Sequence, residues 1–267
     1  MCRILKISRS TYYYELKGKP TEVALEQAIM TEFYNSRKNY GTRKLKIVLK
    51  PLGFVVSRKR ISRIMKKLNL VSNYTIAHYK KYHSPVNSAP IKNVLNRQFN
   101  QKKPLEVVVT DLTYVRVGKK WHYICLIVDL FNREIIGHSS GPHKDAELVK
   151  KAFSTVQHAL SNVHIFHSDR GNEFDNRVID RLLEGFDIQR SLSDKGCPYD
   201  NAVAESTYKS LKVEFVYSNH FVSQNQLSTE LFDYVHWWNY FRIHGTLNYE
   251  TPINYRLQRQ PEGCFSI

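Results

Sequence analysis

Apolar residues recur along the chain with two different periods, and the change of period divides it. From Pro20 to Phe33, Leu25, Ile29 and Phe33 fall every four residues, which predicts a helix with one buried face. Thr42 to Lys50 predicts a second helix, with Leu45, Val48 and Leu49 inward; Pro51-Leu52-Gly53 ends it, since proline and glycine interrupt helical propagation. Ser57 is placed to cap a third by accepting from the open amides of its first turn. Ile61, Ile64, Met65 and Leu68 then sit at i, i+3, i+4 and i+7. Residues 72–103 lose the periodicity and read as a linker or extended arm, with Pro85, Pro90, Lys80-Lys81 and Lys102-Lys103. Residues 1–14 read as the end of a helical unit whose start is missing.

From Leu105 the period shortens to two. Val107, Val109, Asp111, Thr113 and Val115 share one face of a strand, and Val108, Thr110, Leu112 and Tyr114 the other. A turn at Gly118-Lys119 leads to a strand from Trp121 to Val128, and Asp129 to Asn132 turns into a third, Glu134 to His138. Val149, Ala152, Phe153, Val156 and Leu160 predict one helix; a strand at Val163, a helix through Val178 to Leu183, and a strand from Ile188 to Leu192 follow. A helix carrying Glu205 closes the set. Three strands in a meander followed by alternating units predict an α/β fold, a mixed five-stranded sheet with helices on both faces. This order and spacing match the ribonuclease H fold. The resulting domains are an all-α helix–turn–helix region (1–71), the linker (72–103), the ribonuclease H-like core (104–216) and a helical C-terminal extension (217–267).

Charge sharpens that division. Residues 1–103 hold 23 Lys and Arg against 4 Asp and Glu, while residues 104–267 hold 17 against 20. A basic first third beside a slightly acidic remainder suggests a polyanion-binding module joined to a different kind of domain, with nucleic acid as the partner. The third helix concentrates this charge in Arg58, Lys59, Arg60, Arg63, Lys66 and Lys67. A solvated amphipathic face is the ordinary reading of such a helix. Six cations without a compensating acid in the segment favour a DNA groove.

The four cysteines lie far apart and form no Cys-x-x-Cys pair, and His78 and His83 stand near no such pair, which argues against a zinc module and for a reducing compartment. No apolar run is long enough to span a bilayer. The expectation is a cytoplasmic protein.

The acids carry the chemistry. Asp111 interrupts an apolar strand, and an ionised carboxylate there needs a cation, amides or metal beside it. Asp169 ends the fourth strand before Gly171, and 35 residues separate it from Glu205 on the closing helix. Singly these are a salt-bridged strand residue, a turn former and an exposed helix residue. If the first and fourth strands are neighbours, the three converge, as all-oxygen ligands suited to divalent cations. Two ions about 3.5–4 Å apart can activate an attacking oxygen and stabilise a leaving one in phosphodiester displacement, with no nucleophilic Ser206 or Tyr208. Glu173 is a candidate to line the site, Asp129 reads as a cap, Asp200 as the N-cap of the closing helix with Asn201 as backup, and Glu214 lies too far along to share the place of Glu205. Glu205, Lys209 and Lys212 fall at i, i+4 and i+7, beside an apolar stripe of Ala204, Tyr208, Leu211 and Phe215. The lysines can meet a DNA phosphate, or Lys209 can pair with Glu205.

Val109-Thr110-Asp111-Leu112-Thr113-Tyr114, His167-Ser168-Asp169-Arg170-Gly171, and Asp200-Asn201-Ala202 with Glu205-Ser206 and Leu211-Lys212 resemble the DDE transposases of bacterial insertion sequences. More closely, they are similar to the second-reading-frame protein of the IS-three family, relatives of retroviral integrases. Trp238 to His244, Leu247 to Pro252, and Tyr40-Gly41-Thr42-Arg43 through Met65 extend the likeness over nearly the whole chain. Val107 and Val108 replace the aromatic usual before the first Asp. The resemblance implies binding to the terminal inverted repeats of the element and to target DNA, and cleavage that frees a 3′-hydroxyl. It implies joining of that hydroxyl to another phosphodiester with Mg2+ or Mn2+, and self-association on DNA. It also implies an upstream reading frame, supplied as a separate chain or a frameshift fusion. A hydrolysis-only nuclease of the same fold and a non-catalytic DNA-binding regulator are the alternatives. Arg242 and His244 can touch DNA or pack within the tail, and His167 reads as a structural neighbour rather than a base.

Overall fold

A computed structural model describes residues 2, 4–13, 20–75, 91–195 and 197–259 of the 267-residue chain. The chain divides into two compact units, with the boundary between Ser72 and Asn73. The prolines and the lysine pair expected in the linker between 76 and 90, and His78, His83 and Cys264, lie outside the described residues.

In the first unit a single turn, α1 (Arg9–Tyr12), is followed by α2 (Pro20–Asn35), α3 (Thr42–Leu49) and α4 (Arg58–Lys67). Leu25, Ile29 and Phe33 of α2, Leu45 and Leu49 of α3, and Ile61 and Ile64 of α4 are buried where these three helices pack together. Each such side chain stabilises the unit by about 1.5–3 kcal/mol. Gly53, at φ +86°, makes the turn between α3 and α4 in a conformation that side chains resist. Ser57 caps α4, its Oγ accepting from Arg60 N at 3.2 Å. One expectation changes. The cations of α4 do have acidic partners, supplied by α2: Lys67 pairs with Glu26 at 2.6 Å and Arg60 with Glu22 at 3.7 Å. Tertiary packing supplies what the segment itself lacks. Lys59, Arg63 and Lys66 remain exposed on the same helix.

The second unit is built on a sheet of β1 (Val107–Val117), β2 (Lys120–Asp129), β3 (Ile135–Gly141), β4 (Ile165–Ser168) and β5 (Gln189–Leu192), in the order β3-β2-β1-β4-β5. The meander β1–β2–β3 is antiparallel, and β1, β4 and β5 run parallel. Its helices are α5 (Ala146–Phe153), α6 (Arg177–Gly185), α7 (Ala202–Leu211), α8 (Gln224–Tyr240) and α9 (Pro252–Arg259). The alternation along β1 sorts them onto two faces. Val107, Val109, Val115 and Val117 join Ala204, Leu211, Leu227 and Tyr234 of α7 and α8 in one core. Val108 joins Val149 and Ala152 of α5 and Ile179 and Leu183 of α6 in the other.

Four expectations shift here. The single helix through Leu160 ends at Phe153, because Thr155 Oγ1 turns to the β3 backbone, accepting from His138 N at 2.9 Å and donating to its carbonyl. The third strand runs to Gly141 rather than His138, and the fourth begins at Ile165 rather than Val163. Residues 91–103, expected in the linker, are bound to this unit. Leu95 is buried in the core, Ser191 Oγ accepts from Val94 N and Leu95 N at 3.0 and 3.2 Å, and Arg133 donates to Phe99 O.

Candidate active site

The sheet register brings the two aspartates together. β4 pairs with β1 only from Val107 to Val109, in parallel, with Val109 opposite His167. Asp111, within β1, and Asp169, just past the end of β4, each lie two residues beyond that pair, beside the carboxyl end of β4, where ligands gather in open α/β sheets. Beyond Val109, β1 is met by α7 and the residue before it. Asn201 Nδ2 donates to Thr110 O at 3.2 Å, and the Tyr208 hydroxyl accepts from Leu126 N at 2.6 Å and donates to Asp111 O. Those bonds fix the helix that carries Glu205 against the strand that carries Asp111.

The carboxylates feel one another. Burial first, and then the charges of Asp169, Glu173 and Glu205, together push the Asp111 carboxyl up to about 8, against a lowering bond from Leu112 N to its Oδ1 at 2.7 Å. Asp169 Oδ1 accepts from Gly171 N at 3.0 Å. A Cβ on Gly171 would stand 2.3 Å from Glu173 Oε1, so only glycine lets the Glu173 carboxylate fold back here. Glu205 is exposed in the first turn of α7, and partial desolvation raises its carboxyl above the ordinary value.

Among the described residues no group of three or more Asp, Glu, His or Cys side chains is gathered closely enough to hold a metal ion as it stands. The donors fit a divalent cation nonetheless. They are hard carboxylate oxygens from β1, the end of β4 and α7, and their mutual repulsion at Asp111 is what a cation between them would relieve.

Several residues here escaped the sequence reading. Lys144, in the loop after β3, pairs with Glu173 at 3.0 Å. Burial lowers its ammonium, but Glu173, Asp169 and Asp111 outweigh that and hold it above its ordinary value. A single loop lysine carries no local signal of this role. Asp200 is not the cap of α7. That place falls to Asn201, which makes no side-chain cap bond. Asp200 is instead buried and accepts from Arg97 Nε at 2.6 Å, Asn93 Nδ2 at 2.9 Å and Asp194 N at 2.9 Å, clasping residues 93–97 to the core.

The remaining candidates sort by burial. Lys209 is exposed on α7, with no ion pair to Glu205 among the described residues. Lys212 lies at the start of a π-helical turn, Lys212–Val216, its Nζ 5.2 Å from the centroid of the Tyr114 ring. Glu214, in the same turn, is buried against Arg242 at 2.7 Å, and Arg242 also stacks on Trp238 and bonds His244. Arg242 and His244 therefore pack within the tail. His167 is held between Ser191 Oγ at 2.9 Å and Ser193 Oγ at 3.2 Å, and burial brings its imidazole down to about 4, so it is neutral. Asp129 receives Leu105 N and Phe131 N, the capping role expected of it.

Set beside known proteins, residues 101–198 and 205–259 match the integrase core domain, and residues 21–78 match an HTH-like domain. The InsK protein of insertion sequence element IS150 of Escherichia coli K12 is 33% identical over 265 residues, 97% of this chain and 93% of its own length. The transposase of insertion sequence element IS904 of Lactococcus lactis subsp. lactis IL1403 is 28% identical over 246 residues, 89% of this chain and 97% of its own. A chain of the simian T-cell lymphotropic virus intasome, solved with the PP2A regulatory subunit B56 gamma, superposes with a TM-score of 0.51 at 12% identity, over 88% of this chain and 75% of its own. At that identity the likeness is one of fold.

Proposed function

This chain belongs to the insertion-sequence transposases built on an integrase core, and from that premise we propose that Asp111, Asp169 and Glu205 carry out its DNA cleavage and strand transfer. The observation that supports this most is the electrostatic meeting of the three at Asp111, where β1, the end of the parallel strand β4 and the first turn of α7 come together. Mg2+ or Mn2+, a pair of ions in this reading, would when bound there activate the attacking oxygen and relieve charge at the leaving one. Asp111 would bind from within β1, Asp169 from the end of β4 and Glu205 from the first turn of α7. Glu173, held by Lys144, borders the site without being counted among its ligands.

In joining, a 3′-hydroxyl attacks a phosphorus of target DNA. One P–O bond forms, another breaks, and the displaced strand leaves with a new 3′-hydroxyl. Lys209 and Lys212 fall on the next turns after Glu205 and suit the phosphates flanking the attacked one. In the first unit, Arg58, Lys59, Arg60, Arg63, Lys66 and Lys67 form the DNA-facing side of α4, with Lys59, Arg63 and Lys66 the most available. Arg60 and Lys67 pair with α2, and Arg58 donates to Thr42 Oγ1. The DNA partners in this reading are the element ends and a target, and the chain assembles with copies of itself on them, as the word intasome describes for the structural neighbour. The basic helical unit and the transposase relatives count against a purely hydrolytic nuclease or a non-catalytic regulator.

The test is a joining assay with pre-cut element ends and magnesium. Asp111→Asn, Asp169→Asn and Glu205→Gln should each bind DNA as the unaltered chain does. Each should lose joining beyond the roughly 10–100-fold that loss of an outer-shell partner costs. Joining retained by Asp169→Asn would remove it from the ligand set.

A further inference from the structure

The β1–β2 hairpin carries a surface that the carboxylate site does not use. Tyr114 is 39% exposed and Trp121 51%, and their rings meet edge to face with centroids 5.2 Å apart. The Arg116 guanidinium lies 5.0 Å from the Trp121 ring centroid, and Lys212 Nζ lies 5.2 Å from that of Tyr114. Arg116 and Trp121 are direct partners across the two strands. Inward-facing Val115 and Val117 are buried, so the alternation of the strand turns Tyr114 and Arg116 outward. From Thr113 to Ile124 the chain holds Arg116, Lys119 and Lys120 and no acid.

We propose that Tyr114 and Trp121 form a stacking ledge for an unpaired base of the DNA strand that enters the carboxylate site. The proposal rests on the reading of Asp111, Asp169 and Glu205 given above. Tyr114 follows Asp111 by three residues along β1, about 10 Å or about three steps of a stacked nucleic-acid strand. Although it starts from the other face, its ring centroid lies 5.2 Å from Lys212 Nζ, beyond α7. Lys212 joins the two regions, since it follows Glu205 on the α7 side and covers Tyr114 on the hairpin side. The chemistry selects the occupant. Exposed aromatics interleaved with cations suit a strand whose bases offer a π-face and whose phosphates need a positive charge. Paired bases inside a duplex cannot reach such a ledge, so the base it takes is unpaired, near a DNA end. A base outcompetes an exposed guanidinium for the indole face, and Arg116, displaced from the ring, is then placed to meet the adjoining phosphate.

Trp237 and Trp238 are 6% and 3% exposed, so of the three tryptophans Trp121 is the one open to a quenching base. The experiment titrates the full chain, in EDTA, with a duplex of the DNA flanking this reading frame. The terminal base pairs are either matched, mismatched, or mismatched with abasic sites. Tryptophan emission should fall most with the mismatched end and recover with the abasic one. The preference for the mismatched end should fall about tenfold in Trp121→Leu and Tyr114→Leu and persist in Trp121→Phe, as base stacking requires. Equal quenching by matched and mismatched ends, or an unchanged preference in both leucine variants, overturns the proposal. The quenching arm uses the unaltered chain, so it stands even if a leucine variant folds poorly. Because this binding needs no metal, the ledge can fail while magnesium-dependent joining holds, and loss of joining can be read apart from it.

Discussion

The Tyr208 hydroxyl stands where two strands would otherwise close on each other. It accepts from Leu126 and donates to Asp111, which face one another across β1 and β2. Tyr208→Phe leaves both backbone groups buried without that partner, and urea unfolding should show a loss of about 1–3 kcal/mol. Joining should fall as well, since the same bond sets α7 against the Asp111 strand. Asp129 gives the pH dependence. Burial raises its carboxyl to about 6, against lowering bonds from Phe131 N and Leu105 N. A carboxyl raised on folding favours the protonated fold, so its contribution is present below the ordinary Asp range and is lost as pH climbs through about 6. Unfolding free energy measured against Asp129→Asn should therefore decline between about pH 4 and 6, by on the order of 3 kcal/mol. At this scale the acids were legible because a carboxylate is anomalous in an apolar strand or at a strand end. Tyr208 and Lys144 were not. Tyr208 fits an apolar helical stripe, and nothing local tells where its hydroxyl points. Lys144 acquires its role only when the loop after β3 meets Glu173.

The elements followed the periodicity wherever one face is buried. The sheet and its two layers of helices could be read for that reason, because alternation in β1 assigns each valine to a core before the cores are known. Failures came where side chains compete with the backbone or where a long-range contact decides. Thr155 stops α5 by bonding to β3, and the segment from Asn93 to Arg97 looks like linker until Asp200 clasps it. The acid that looked like a cap is a clasp because Asn201 stands between it and α7. The π-helical turn after α7 rests on another long-range pair, Glu214 with Arg242, both nearly fully buried. Glu214→Gln leaves that guanidinium uncompensated, and thermal or urea unfolding should show a loss of about 3–5 kcal/mol.

Across the whole molecule, function follows the unequal charge of the two units. The excess of 17 cations over 4 acids in residues 1–72 should give DNA binding that weakens steeply with salt. Lys59→Ala, Arg63→Ala and Lys66→Ala should each flatten the plot of log affinity against log salt by about one unit, while Lys67→Ala, already paired with Glu26, should change it less. The metal site proposed in the other unit would draw its oxygen ligands from β1, the end of β4 and α7. Its most direct test is strand transfer by Asp169→Cys, compared in magnesium and in manganese, because a thiolate is a poor ligand for the harder ion and a better one for the softer. Joining should vanish in magnesium and return in manganese. Undiminished joining in magnesium would contradict the proposed site.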